Sequence, residues 1–139
     1  MTLNPDLVRT RCQEIEDSLA RLDKIRSELS RDQFLNDRDA QDIASYRLLV
    51  AIEAALALCY HVTAKRLRKV PEEYAECFKI LADGGIISGE LSLQLQKTAR
   101  FKNLLVHMYW KVDYGAVFDI LNASLDDLRL FSREIVKLI

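Results

Sequence analysis

Residues 38–67, RDAQDIASYRLLVAIEAALALCYHVTAKRL, form a segment with almost no polar middle. Ile43, Leu48, Leu49, Val50, Ile52, Leu56, Leu58, Tyr60 and Val62, with alanines between them, spread apolar groups around a helix turning about 100° per residue. A surface helix would show one stripe; a helix apolar on several faces needs cover on several faces. The segment is therefore expected at the centre of a bundle and at a subunit interface as well. Arg47, Glu53 and His61 interrupt the apolar surface and need partners if buried. His61 reads as structural.

Outward from this segment the pattern stays helical. Upstream, Val8, Ile15, Leu19, Leu22, Ile25 and Leu29 recur at helical spacing behind an Asn4 cap with Pro5 at the first helical position, and a polar break follows from Ser30 to Asp37. Downstream, Pro71 is expected to open a short helix with Tyr74, Cys77, Phe78 and Leu81 on one face, ended by Gly84-Gly85. Ser88 caps a fourth helix reaching His107 or Tyr109, and Tyr109 to Asp113 reads as a turn or an extension of it. A last helix is predicted from Tyr114 to Leu138, with Val117, Leu121, Leu125, Leu128, Phe131, Ile135 and Leu138 in register. The fold class is all-α: one domain over residues 1–139, a bundle of four long helices plus one short helix. The glycines at 84 to 89 are not followed by Lys-Ser or Lys-Thr, so they make no phosphate loop.

A net charge of −1 gives no general attraction to nucleic acid, but its distribution leaves two basic surfaces. Leu91 to Val112 has no acidic residue and carries Lys97, Arg100, Lys102 and Lys111; Ala54 to Pro71 has none and carries Lys65, Arg66, Arg68 and Lys69. No uninterrupted apolar run approaches the roughly 18 residues of a membrane helix, and residues 1–6 lack a basic segment leading into an apolar one. A cytoplasmic protein without membrane association is expected. Cys12, Cys59 and Cys77 are odd in number and contain no Cys-x-x-Cys pair, and His61 has no ligand-spaced partner, so neither a metal site nor a disulfide framework is expected. The cysteines read as small buried apolar groups.

The functional signal lies in Arg100-Phe101-Lys102-Asn103-Leu104-Leu105-Val106-His107-Met108-Tyr109. At i, i+3 and i+7, Arg100, Asn103 and His107 share one helix face. A guanidinium fork binds phosphate oxygens, an amide orients a neighbour, and an imidazole changes protonation near neutrality; together they can handle a phosphate and cleave RNA without metal. The competing reading is a core or interface histidine among Leu104, Leu105, Val106 and Met108.

Arg38 to Ile43, Leu48 to Ala55 with His61 beyond, Pro71-Glu72-Glu73-Tyr74 followed by Phe78 to Leu81, Gly85-Ile86-Ile87, and above all Lys102 to Tyr109 resemble the HepT group of HEPN ribonucleases over nearly the whole chain. The resemblance implies a HEPN-type helical homodimer acting as the toxin of a HepT–MntA toxin–antitoxin module. It also implies metal-independent RNA cleavage with no cofactor, and a motif of arginine followed after about four to six residues by histidine. The arginine that usually precedes the asparagine is Lys102 here, a point charge without the planar fork. Helix geometry turns Lys102 about 140° from His107, so Arg100 takes the phosphate role with Lys102 as second choice for it, His107 is the base, and Asn103 and Lys102 are otherwise supporting. Tyr109 is implied as the acceptor of AMP from an MntA-like nucleotidyltransferase; alternatively it is an amphipathic aromatic at a dimer edge. Trp110 is able to stack on a base, with packing the simpler role. The rival function is a non-catalytic helical module that binds a nucleotide or docks on the nucleotidyltransferase, which the Lys102 departure keeps open.

Overall fold

The computed structural model describes residues 2–139. It contains helices α1 (Pro5–Glu28), α2 (Arg31–Leu35), α3 (Arg38–Arg66), α4 (Tyr74–Asp83), α5 (Gly89–His107), α6 (Tyr114–Ala123) and α7 (Leu125–Val136), with a 3₁₀ turn at Tyr109–Lys111. As its composition demands, α3 is central and packs against every other α-helix, most extensively α1. Its length and mean hydropathy, 1.6 over 18 residues, reach the measure of a membrane-crossing helix even though charged residues interrupt its apolar run. Half of that window is buried inside the bundle, and its charged interruptions have partners: Arg47 lies 5.4 Å from the Tyr46 ring centre, and Glu53 pairs with Lys102.

Local chemistry sets the boundaries. The Asn4 side chain accepts from the amides of Asp6 and Leu7, and Asn4's own amide donates to His61 Nε2 at 2.9 Å, tying the start of α1 to α3. His61 is thus structural, as read. The supposed break at Ser30–Asp37 holds α2, stabilised by a reciprocal capping box between Ser30 and Gln33. Phe34 on α2 is fully buried and packs against Phe118 at 5.4 Å, and the buried Gln41 amide donates to the Phe34 carbonyl. Burying such a ring contributes roughly 2–3 kcal/mol, so this short helix is an anchor rather than a linker.

Two further boundaries shift. Pro71 is buried but stands outside α4, which begins at Tyr74 without a side-chain cap. The α4 C-terminus is a Schellman motif, in which the Ile86 amide reaches the Leu81 carbonyl and the Gly85 amide reaches that of Ala82, with Gly85 at φ 75°. The predicted last helix from Tyr114 to Leu138 is interrupted at Ser124, whose φ of −117° leaves the helical range. The offset lets α6 cover α1 and α2 while α7 packs on α1, α3 and α5.

The cysteines correct the sequence reading in part. All three are buried, but Cys59 on α3 and Cys77 on α4 form a disulfide, their Cα atoms 6.2 Å apart. Chain spacing does not reveal that α4 crosses α3 at this level. Cys12 stays a free thiol, its pKa pushed up by burial.

Candidate functional site

Helix α5 starts at the Ser88 cap and runs regularly to His107, so Arg100, Asn103 and His107 do lie along one stripe. Arg100 and Asn103 line a common groove of about 480 Å³, walled across from α5 by Glu72, Glu73 and Tyr74. Arg100 is exposed and forms no ion pair among the described residues. His107 occupies the last turn of α5, exposed and outside that groove, roughly 10 Å along the axis from Arg100. The structure therefore joins Arg100 with Asn103 and leaves the imidazole open to solvent beyond them.

Lys102 points elsewhere. Its Nζ lies 2.8 Å from Glu53 Oε1 on α3 and 2.6 Å from the Tyr74 hydroxyl on α4, and 4.3 Å from the Tyr74 ring centre. Burial alone would lower the Lys102 pKa, but the hydrogen bonds and charges of Glu53 and Tyr74 outweigh it and raise it above its ordinary value. The ammonium is fixed and charged, already engaged by protein. In the sequence Glu53 is a charge that needs a partner and Tyr74 shares one face of its helix with Cys77, Phe78 and Leu81. Their meeting at Lys102 depends on three helices converging, which no local pattern encodes.

Beyond His107 the chain turns at Met108, whose φ of −134° ends α5, and Tyr109 and Trp110 follow on the 3₁₀ turn. Both are exposed, Tyr109 at 69%, with their rings edge to face at 5.4 Å. Tyr109 lines a second groove, of about 550 Å³, with Tyr46, Trp110, Tyr114, Arg38 and Asp42. Ile43, Tyr46, Val106, Met108 and Trp110 leave large apolar groups in solvent. Among the described residues no group of three or more His, Cys, Asp or Glu side chains is placed to hold a metal ion.

Known proteins resemble this chain in sequence and in fold. The family model described as Ribonuclease HepT-like matches residues 15–135. The chain is 24% identical over 126 residues to the mRNA nuclease HepT of Shewanella oneidensis, covering 91% of this chain and 93% of that protein. It is 27% identical over 133 residues to the tRNA nuclease HepT of Aphanizomenon flos-aquae, covering 96% and 90%. Its fold matches the tri-AMPylated Shewanella oneidensis HEPN toxin, solved in complex with MNT antitoxin, at a TM-score of 0.85 and 24% identity over 94% of this chain and 96% of that one. With a helical bundle built on α3 and a family match that runs from residue 15 to residue 135, the chain belongs to the HepT-like ribonuclease family.

Proposed function

We propose that this ribonuclease is the toxin of a HepT–MntA type module: a cytoplasmic, metal-independent endoribonuclease that works as a homodimer and is silenced by AMP transfer to Tyr109. His107 takes the proton of a ribose 2′-hydroxyl, the 2′-oxygen attacks the adjacent phosphorus, and Arg100 stabilises the charge that develops on the nonbridging oxygens. Asn103, between them on the same stripe, orients the phosphate or the imidazole. The products are a 2′,3′-cyclic phosphate and a 5′-hydroxyl. The observation that carries the reading is the contrast between the two cations. Arg100 is exposed and unpaired beside Asn103, whereas Lys102 is consumed by Glu53 and Tyr74.

The exposed apolar groups of α3 and of the α5 end offer a surface on which a second copy would align two such stripes about a two-fold axis. The protruding Tyr109 phenol is accessible to a transferase, and a relative of the same fold is tri-AMPylated in complex with its antitoxin. An adenylate there would add negative charge and bulk close to the cations that bind RNA. Incubating RNA with the purified protein in the presence of a chelator tests the enzyme. Cleavage to cyclic phosphate ends is expected, and it should vanish in Arg100→Ala and His107→Ala, whose exposed side chains leave the fold intact. Undiminished cleavage by His107→Ala refutes the assignment. Mass spectrometry after co-expression with a partner nucleotidyltransferase should find adenylate on Tyr109 and none in Tyr109→Phe.

A further inference from the structure

We infer that Tyr74 is a catalytic residue of this ribonuclease, the acid that delivers a proton to the departing 5′-oxygen. The inference rests on the proposed RNA cleavage and fills a gap in it. The cut needs a base for the 2′-hydroxyl and an acid for the leaving group, and the α5 stripe of one chain offers a single histidine.

Four features converge on the Tyr74 side chain. It lines the groove that Arg100 and Asn103 line, the place where the stripe would seat a phosphate. Its hydroxyl oxygen accepts a hydrogen bond from Lys102 Nζ at 2.6 Å, and among the described hydrogen bonds it donates none, so its own proton is free for another acceptor. Lys102 is pinned by Glu53 at 2.8 Å and stays a cation, so the phenolate left by proton transfer would form directly against a positive charge. The ring is also held in place: Tyr60 packs edge to face against it at 6.4 Å, and Cys77, one turn further along α4, is bonded to Cys59 on α3.

The step balances within the proposed reaction. His107 receives the 2′-hydroxyl proton as the O2′–P bond forms. The P–O5′ bond breaks, its electron pair stays on O5′, and the Tyr74 hydroxyl proton passes to that oxygen. Tyrosinate remains paired with the Lys102 ammonium, and exchange with water returns both groups to their starting protonation. In this arrangement the lysine standing at the family's arginine position acts on the leaving-group side rather than on the phosphate charge.

The test uses the full chain and two RNA oligonucleotides of one sequence, one with an ordinary 5′-oxygen at the scissile bond and one with sulfur in its place. A thiolate leaves without protonation, its conjugate acid having a pKa of about 8.5, far below that of the alcohol formed from a departing 5′-oxygen. Tyr74→Phe keeps the ring and its packing. It should cut the oxygen substrate about 100-fold or more slower than wild type, the range of a lost general acid, and cut the sulfur substrate within about threefold of wild type. Equal slowing on both substrates overturns the inference, because a displaced groove wall would not respect the leaving atom. Wild-type cleavage of the oxygen substrate by Tyr74→Phe overturns it too, and points to a second copy's His107 as the acid. Failure of the wild-type protein to cut either oligonucleotide overturns the RNA-cleavage reading itself. His107→Ala, deprived of its base, should stay slow on both.

Discussion

Replacing Lys102 with Met tests whether the cation seated between α3, α4 and α5 is structurally bound, as the geometry says, or free to meet RNA. Met keeps most of the buried stem and removes the ammonium. Lys102 is 14% exposed but Glu53 is 49% exposed, so water screens the 2.8 Å pair and its net worth is held to about 1 kcal/mol. The hydrogen bond to Tyr74 and the contact with its ring contribute about 1 kcal/mol more together. For 139 residues, an unfolding entropy of about 2.1 cal/mol/K per residue converts each kcal/mol to about 3.4 °C. The expected drop in melting temperature is therefore about 7 °C, read by calorimetry at neutral pH. In a double-mutant cycle with Glu53→Gln the two changes should couple by about 1 kcal/mol, and by less in concentrated salt. A melting temperature within a degree or two of wild type, with additive single effects, would falsify the picture of an engaged Lys102 and return it to candidacy as the phosphate ligand.

Other expectations follow from single contacts. Under non-reducing conditions thiol titration should find one reactive group on unfolding, Cys12, and the intact mass should be two hydrogens below the reduced chain. Reduction, slowed because both sulfurs are buried, should cost about 3 kcal/mol for a loop of this length. His61 should make stability fall with acidity, since burial first and the Lys65 charge second lower its folded pKa. The unfolded chain then binds the proton more readily, so stability declines as pH drops through about 6.5 until the folded group also protonates, and is flat above that window. Denaturant titration of His61→Gln, which lacks this slope, measures the difference. Gly85→Ala places a side chain at φ 75° and should lower stability by about 1–2 kcal/mol in thermal melts.

The all-helical fold and the α5 stripe were legible because each rests on local information: caps at Asn4 and Ser88, and apolar residues at helical intervals. What escaped reading depends on contacts distant in sequence. Ser30 and Gln33 do spell a capping box, but a five-residue helix carries too few apolar positions to show a period, and only the burial of Phe34 against Phe118 makes it stable. The interruption at Ser124 is invisible because Leu121, Leu125 and Leu128 keep their spacing across it. The same holds for Cys59 with Cys77, and for Lys102 with Glu53 and Tyr74. Periodicity tells which face a residue occupies, not which residue of another helix lies opposite.

The end of α5 at His107 sets Tyr109 apart on a separate 3₁₀ turn, and in the proposed function this divides two duties that would conflict on one rigid rod. A tyrosine offered to a foreign enzyme has to enter that enzyme's pocket, whereas an imidazole used for catalysis must hold still. On the proposed reading, the bend at Met108 lets the phenol be loaded and unloaded while the cutting edge keeps its shape. The silenced protein would then be a sheathed blade rather than a melted one, restored by stripping its cargo with no need to fold again.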